Sequence, residues 1–302
     1  MFGRPAGRRC NDGAMDPSDR ARRLWHGLEH VNAVAYFSAE CIDAATTLGL
    51  RGFWMGYFGC RAAPLGTVGA GVVEATFYNF HPDRVRRAIP DAWAHASPTA
   101  IVDVRAAAAA SALRRLLPEN GAEQLADVVT EPMRSAVEAA DPAGRPLFAA
   151  NRDLPRPEDP VADLWQTATT LREHRGDGHV ALLAGAGLDG CEVHVMACAV
   201  ATADATDPEL YRQSRGWSDD DWDAAQERLA SRGLVGNDGR ATAAGSALHA
   251  DIESRTDALA AAPFATLPHD VVDSVLPRLD DAARLVASDL RFPNPMGLPA
   301  PN

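Results

Sequence analysis

The fold is decided by residues 216–248, which read GWSDDDWDAAQERLASRGLVGNDGRATAAGSAL. Ser218 is suited to cap a helix, and the aspartates that follow it favour the positive end of the helix dipole. Apolar residues then recur at a helical spacing, at Trp222, Ala225, Leu229 and Ala230. Gly233 suits the C-terminal end of that helix, and the Asn-Asp-Gly sequence at 237–239 is typical of a tight hairpin turn.

A second helix is predicted to begin near Gly245, after the hairpin. A helix, a hairpin with a central glycine and another helix form the second half of a winged helix-turn-helix. We therefore predict a winged helix over residues 210–250, with its turn at 237–239. For the whole chain we predict a mainly α fold, with an N-terminal helical domain and a C-terminal winged helix-turn-helix domain.

Apolar spacing and the positions of glycine and proline predict the other helices. They cover residues 24–48, 67–80, 83–93, 97–117, 119–140 and 161–173. The predicted divisions of the chain are a disordered extension (1–18), an N-terminal helical domain (19–140), a linker rich in proline and charge (141–160), a winged-helix domain (161–290) and a disordered tail (291–302).

A weak internal repeat relates the two halves. Gly-Leu-Arg-Gly at 49–52 matches Gly-Leu-Asp-Gly at 187–190, and a capped helix follows each copy after a similar interval, at His81 and at Ser218. This pattern predicts two related helical units that face each other about a pseudo-twofold axis. Two unrelated helical units are the alternative.

The charge of the chain is uneven. All 29 basic residues are arginine, against 41 acidic residues, and the net charge of −12 lies entirely in residues 151–302. That half should repel a phosphate backbone. No apolar run approaches the roughly 20 residues of a membrane span. The five cysteines form no CxxC motif, so we expect a cytoplasmic protein with free thiols and no membrane partner.

Four further blocks carry a family resemblance: YFSAE at 36–40, GFWMGYFGCRAAPLG at 52–66, ATFYNFHPDRVRRAIPDAW at 75–93 and LREHRGDGHVALLAGAGLDG at 171–190. With the winged segment, they resemble the SalK-like helix-turn-helix proteins of actinobacteria over about residues 24–265. The resemblance implies a helical domain followed by a winged helix, often encoded near genes of specialised metabolism. It implies no catalytic residue.

DNA binding through the winged helix is not expected, because its third helix begins with four aspartates, Asp219, Asp220, Asp221 and Asp223. A DNA reader places arginine, lysine, asparagine or glutamine there. The matching helix in the first half, 83–93, is the better DNA candidate because it carries Arg84, Arg86 and Arg87. An arginine face in solvent, above a core of Val85, Ile89 and Trp93, is the alternative.

The polar segment 172–179 is the predicted centre of chemistry. We expect a helix to end there and two glycines to let its side chains converge. The predicted catalytic residues are His174, Asp177 and His179. The two histidines could supply a base near neutral pH, or bind a haem or a divalent metal, and the cofactor is left open. The alternative is an ordinary helix end that carries positive charge.

The predicted ligand-binding residues come from both halves and should approach one cavity between them. They are Tyr36, Trp54, Tyr57, Arg61, Tyr78, His81, Arg172, Arg175, Glu192 and His194. The aromatic segment 53–61 could line this cavity, although apolar residues at helical spacing usually belong to the core.

Two classes of function compete. The first is a small-molecule-binding protein of specialised metabolism, which could be an enzyme, with a small organic ligand between the two halves. The second is a ligand-responsive transcription regulator whose winged helix forms a homodimer or reads DNA. The acidic third helix favours the first class.

Overall fold

The computed structural model describes residues 16–201 and 207–290, with 292, 294, 296–298, 300 and 301 of the C-terminal segment. This part of the chain forms fifteen α-helices. They are α1 (Pro17–Phe37), α2 (Ala39–Thr47), α3 (Gly52–Ala62), α4 (Ala70–Phe77), α5 (Pro82–Arg86), α6 (Ala92–His95), α7 (Pro98–Leu116), α8 (Gly121–Ala139), α9 (Pro146–Arg152), α10 (Pro160–Gly185), α11 (Gly190–Val200), α12 (Pro208–Arg215), α13 (Asp219–Ser231), α14 (Ala243–Ala261) and α15 (His269–Val286).

Short 3₁₀ turns occupy Ala63–Leu65, Ala262–Phe264 and Ala287–Asp289. The single β contact among the described residues is the antiparallel bridge between Val235 and Ala241. The predicted mainly α class is therefore confirmed.

The winged helix has the predicted local signals. Ser218 and Asp221 form a capping box at the start of α13, since each side chain accepts a hydrogen bond from the other residue's backbone N–H. The chain then turns back between Gly236 and Arg240, with Gly236 N–H donating to the Arg240 carbonyl over 2.8 Å. Gly239 has a φ of +75°, as expected of a glycine in this turn. Residues 234–242 thus form a hairpin held by one bridge.

Two predicted helices are interrupted. The predicted helix 24–48 breaks at Ser38, whose extended backbone (ψ 141°) separates α1 from α2 and whose hydroxyl donates to Asp289 over 2.9 Å. The predicted helix 83–93 is two short helices, α5 and α6, with a cis peptide between Ile89 and Pro90. Proline has no N–H to continue a helical ladder, so the break falls there. The predicted helix 67–80 begins later than expected, at Ala70.

The helix at 161–173 is longer than predicted, because α10 continues through Gly176 and Gly178 to Gly185. The absence of a side chain at Gly178 makes room for a neighbour: a Cβ there would lie 2.6 Å from the Arg145 guanidinium, which donates to the carbonyl of His174. The glycine therefore serves packing, not a turn, and the predicted helix end at this place is wrong.

The internal repeat has a counterpart in the helices. The first helix of each unit, α3 and α11, has 11 residues, and the second, α4 and α12, has 8. Each first helix follows a glycine with positive φ, Gly49 (+85°) or Gly187 (+66°). Each second helix ends at a residue with positive φ, Tyr78 (+50°) or Gly216 (+87°). We call residues 52–86 and 190–231 the first and second helix-turn-helix units.

The two halves of the chain interlock. The long helices α1 and α10 pack against each other, α8 of the first half packs on α10, and α15 of the second half packs on α1. The largest apolar cluster accordingly draws buried residues from all these helices, among them Leu24, Leu113, Met133, Trp165 and Leu279. Each helix-turn-helix unit has a smaller apolar cluster of its own.

The predicted linker 141–160 contains helix α9, which packs against α10 and buries Leu147 and Phe148. The division of the chain at this segment stays a prediction. Of the predicted disordered extension, residues 1–15 lie outside the described residues, and Asp16 caps α1. Of the predicted tail, residues 291, 293, 295, 299 and 302 lie outside them.

Within the described residues, no single helix is long and apolar enough to cross a membrane. Helices α10 and α11 together have the length and apolar composition of a membrane span, but they meet at an angle of 95°.

Candidate functional site

A cavity of about 440 Å³ lies between the two helix-turn-helix units. Its first-half wall comes from α1, α3 and the end of α4, and its second-half wall from α10, α11, α12 and α14. The polar and aromatic residues that line it are Trp25, Glu29, Tyr36, Tyr57, Arg61, Thr76, Phe77, Tyr78, Asn79, Phe80, Arg172, Arg175, His179, His194, Tyr211, Arg215, Glu253 and Thr256. Apolar groups such as Leu183 and Ala197 complete the wall.

The contact between the two units fixes the rim of this cavity. The backbone N–H of His81 donates to the Arg215 carbonyl over 2.9 Å, and the Trp217 indole donates to the Asn79 carbonyl over 3.2 Å. The phenol of Tyr78 donates to the Leu188 carbonyl. Residues 78–81 directly follow α4 of the first unit, and these bonds join them to α12 and Trp217 of the second unit and to Leu188, just before α11. The cavity is therefore part of the interface between the two units.

A buried ion cluster forms one side of the cavity. Arg61 donates to both carboxylate oxygens of Glu173, over 2.9 and 3.0 Å, and Arg172 donates to the same carboxylate over 2.8 Å. Arg172 also reaches Glu29 over 3.3 Å. Burial by itself raises the pKa of Glu173, but the charges of Arg172 and Arg61 outweigh burial and lower it to about 2. The cluster thus holds the Glu173 carboxylate ionised at neutral pH.

Tyr57 stands beside this cluster with its hydroxyl accepting from Arg61 over 3.2 Å. Burial raises the pKa of the Tyr57 phenol, but the nearby positive charges of Arg61, Arg215 and Arg172 exceed that effect, and the net direction is downward. Tyr36, whose ring centroid lies 5.2 Å from that of Tyr57, has its pKa raised to about 12, mainly by burial. Two adjacent phenols therefore differ in acidity because the arginines favour one of them.

The two histidines of the cavity are neutral near pH 7. The Thr256 hydroxyl donates to the Ile252 carbonyl over 2.8 Å, so it accepts from His179 Nδ1–H over 2.9 Å. Burial is the largest cause that lowers the pKa of His179. His194 stacks on Tyr211 with ring centroids 5.3 Å apart, and burial lowers its pKa to about 3. Both imidazoles can serve a ligand as hydrogen-bonding groups.

The continuity of α10 decides which residues of 172–179 reach the cavity. A helix turns about 100° per residue, so positions 172, 176 and 179 share a face, whereas 174 and 177 lie on the opposite side. Arg172, Arg175 and His179 line the cavity. His174 instead packs edge-on against Phe148, with 4.9 Å between ring centroids. The predicted convergence of His174 and His179 is therefore wrong.

Asp177 also faces α9 and not the cavity. Its carboxylate accepts from the backbone N–H of Phe148 over 2.9 Å, so it caps the first turn of α9 from a neighbouring helix. Burial raises the pKa of Asp177 to about 6, and burial likewise lowers the pKa of His174 to about 4. Both residues belong to the packing of α9 on α10.

Three other predicted ligand-binding residues lie outside the cavity. His81 caps α5 by accepting from Asp83 N–H over 3.1 Å and lies edge-on to the Trp217 ring. Trp54 packs against Phe80. Glu192 belongs to the capping box of α11 and pairs with Arg228 over 3.0 Å. Helix capping and core packing account for these three side chains.

The sequence prediction missed several lining residues, and Arg215 is the most prominent. Its guanidinium lies 4.4 Å from the Phe80 ring centroid and is buried between the units. Tyr211, one turn earlier on α12, lines the same cavity. A spacing of four residues on a short polar helix is the signal that could have indicated a shared inward face.

The surfaces considered for DNA carry few available cations. On α13, the side chain of Asp219 is exposed, and Arg228 pairs with Asp189 over 2.5 Å. In the first unit, Arg84 lies 4.5 Å from the Trp54 ring centroid, and Arg86 pairs with Glu74 over 2.8 Å. Intramolecular contacts thus use two of the three arginines, Arg84, Arg86 and Arg87, of the predicted helix 83–93.

No group of three or more histidine, cysteine, aspartate or glutamate side chains in the described ranges is placed to hold a metal ion. A haem or metal bound jointly by His174 and His179 does not fit, since the two side chains lie on different faces of α10.

Two helix-turn-helix units, the second with a hairpin wing, define a helix-turn-helix protein. A family model described as a helix-turn-helix family matches residues 21–293. The chain belongs to this family. No curated protein and no solved structure matches the chain.

Proposed function

We propose that the chain binds a small organic acid with a flat, unsaturated body in the 440 Å³ cavity. The observation that carries this proposal is the lining itself, in which four arginines and four tyrosines, from the two units and from α1 and α10, face one cavity. A cavity of this volume is within the usual range for small-molecule sites, roughly 300–1,000 Å³.

The ligand class follows from the groups that face it. Guanidinium groups are donors only, so Arg61 and Arg215 favour carboxylate, phenolate or carbonyl oxygens. The rings of Tyr57, Phe77 and Phe80 line the same cavity and add aromatic surface beside the arginines. A planar acid or polyphenol offers both acceptor oxygens and an aromatic body, whereas a protonated aliphatic amine offers neither.

An enzymatic role would centre on Tyr57. A phenol whose pKa is lowered by flanking arginines can donate its proton to a bound substrate and then take it back. We propose Tyr57 as that proton donor, with His179 and His194 as neutral hydrogen-bonding groups. His174 and Asp177, the other residues expected to be catalytic, have no place in this scheme because they face α9.

The biological setting of the proposal comes from the resemblance to SalK-like proteins of actinobacteria. That resemblance supports a role in specialised metabolism. The four cysteines in the described part of the chain form no disulfide with one another, which is in keeping with the proposed cytoplasmic location.

The test is a calorimetric titration of the full chain with a panel of hydroxylated naphthoic acids. We expect saturable binding to the wild type and at least tenfold weaker binding to Arg215→Met and to Ala197→Phe, which reduces the cavity. Arg87→Met is the matched control, because Arg87 is exposed and lies outside the cavity lining. No binding of any planar acid, or equal binding by all four proteins, would contradict the proposal.

A transcription regulator is the second candidate, favoured by membership in the helix-turn-helix family. We propose that its DNA affinity is weak, because the exposed face of α13 presents Asp220, Asp223 and Glu227. Fluorescence anisotropy with a set of duplex DNAs of different defined sequence, at physiological salt, would decide. Nanomolar, sequence-specific binding would favour the regulator.

A further inference from the structure

A second cavity, of about 120 Å³, adjoins the first. Both cavities are lined by Tyr36, Tyr57 and Arg61, so these three side chains stand between them. The rest of the second cavity is formed by α1, α2, α3, α7 and α10. Much of it is apolar, with Ala45 and Trp165 among its walls.

Arg105 is the unusual member of this lining. It is only 6% exposed, and its guanidinium donates to the Cys60 carbonyl (2.7 Å), to Asn151 (2.9 Å) and to Gln166 (3.0 Å). All three acceptors are neutral, and no carboxylate of the described residues lies within ion-pair distance of it. Glu173 also lines this cavity, but its carboxylate is already paired with Arg61 and Arg172. The Arg105 Nε–H has no hydrogen-bond partner among the described residues. A buried cation is costly without a counter-charge, so this arrangement favours an anion in the cavity.

Asn32 supplies a second donor without an acceptor. It is 1% exposed and lines the same cavity. Its Oδ1 accepts from the Thr169 hydroxyl over 3.0 Å, while its Nδ2 has no hydrogen-bond partner among the described residues. The two donors share a neighbour: Trp165 donates to the Asn32 carbonyl over 3.3 Å, and the Arg105 guanidinium lies 5.3 Å from the Trp165 ring centroid.

The opening of the cavity indicates what could enter. Ile42 and Phe53 line it and are 41% and 44% exposed, so large apolar side chains stand at its mouth. Its volume is close to that of an apolar cavity of about 150 Å³ that accepts benzene. An occupant should therefore have an apolar body about as large as one benzene ring.

We propose that this second cavity binds a small monocarboxylate of benzoate size, whose carboxylate accepts from Arg105 and Asn32 while its ring lies among the apolar walls. This site is separate from the larger cavity and does not depend on the function proposed for it. A few ordered water molecules could also satisfy the two donors, and the experiment separates the two cases.

The test is calorimetric titration of the full chain with benzoate, and with benzamide as an uncharged analogue of the same shape. Because the larger cavity is itself proposed to take planar acids, the titration is also run on Ala197→Phe, in which Ala197 of the larger cavity alone is enlarged; there we expect one benzoate site per chain and at least tenfold weaker binding of benzamide. Equal affinity for the two compounds would overturn the proposal, because the charge of Arg105 would then contribute nothing. The absence of benzoate binding would overturn it in favour of water.

Substitutions in each of the two cavities show which cavity holds benzoate. Benzoate affinity should fall at least tenfold in Arg105→Met and Asn32→Leu, and also in Val104→Phe, which fills this cavity from a half-buried position and leaves both donors in place. If Arg105→Met does not fold, Val104→Phe still decides. Ala197→Phe, which narrows only the larger cavity, should leave benzoate affinity within twofold of wild type. Loss of binding in Ala197→Phe with retention in Val104→Phe would place benzoate in the larger cavity and overturn the proposal.

Discussion

Replacing Glu173 with glutamine tests the ion cluster beside the larger cavity. Glu173 is 1% exposed and is shared by Arg61 and Arg172, so the uncharged amide leaves two buried guanidinium groups short of one counter-charge. Removing one partner of a buried ion pair costs about 3–5 kcal/mol. The lowering of the Glu173 pKa from 4.5 to about 2 corresponds to about 3 kcal/mol, in agreement with that range.

The assay is urea unfolding of the wild type and Glu173→Gln at pH 7, followed by circular dichroism. We expect the free energy of unfolding to fall by about 3 kcal/mol. The matched control is Glu123→Gln, which removes a carboxylate from a solvent-exposed pair with Arg114 and should be nearly neutral. A loss below about 1 kcal/mol for Glu173→Gln, or equal losses for both variants, would refute the reasoning.

The lowered pKa of Glu173 also determines how the stability of the protein should depend on pH. Because the folded-state pKa of Glu173 lies below its unfolded value, its contribution is complete above pH 4.5 and is lost as the pH falls towards about 2. The stability difference between wild type and Glu173→Gln should therefore shrink across that window. A difference that stays constant from pH 6 to pH 2.5 would show that Glu173 titrates normally in the folded protein.

Three further predictions concern the cavity and the fold. Tyr57 should ionise below the ordinary tyrosine pKa of 10, because the charges of Arg61, Arg215 and Arg172 outweigh burial. An ultraviolet titration should show a phenol that ionises early in the wild type and is absent from Tyr57→Phe. Arg215→Met should raise the pKa of Tyr57. An unchanged titration in Arg215→Met would count against this electrostatic account. Gly245→Ala should destabilise the protein by about 1–3 kcal/mol, since the new Cβ would lie 2.0 Å from the backbone carbonyl oxygen of Leu234. Gly185→Ala, in open space, should be neutral or stabilising by up to about 1 kcal/mol; chemical denaturation measures both, and equal effects would contradict the packing role of Gly245. Ser218→Ala should cost about 1 kcal/mol of unfolding free energy through the lost cap of α13, and no change would mean that Asp221 caps the helix alone.

The sequence predicts the fold well where the signals are local. Ser218 and the turn at 237–239 indicate the winged helix because capping and hairpin geometry depend on a few neighbouring residues. The repeat of Gly-Leu-x-Gly likewise anticipates two matched helix-turn-helix units. Breaks at Ser38 and near Pro90 were missed or displaced because tertiary contacts, such as the Ser38–Asp289 hydrogen bond, contribute to them.

The site was predicted less completely, and one assumption explains most of the difference. The sequence prediction assumes that a helix ends at Gly176 and Gly178, and in that case all the polar side chains of 172–179 could converge. In a continuous helix they divide between two faces, and His174 leaves the cavity with Asp177. Arg105, Arg215 and Tyr211 were missed because only the packing of distant helices makes them neighbours of a cavity.

The most direct test of the ligand cavity is a crystal structure of the chain grown with the tightest-binding planar acid from the calorimetric panel. We predict electron density for the acid in the 440 Å³ cavity between the two units, with its oxygen atoms within hydrogen-bond distance of Arg61 or Arg215 and its ring against Tyr57. Density for the acid at any other place on the protein, with this cavity holding only water, would contradict the proposal that the interface of the two helix-turn-helix units is a ligand site.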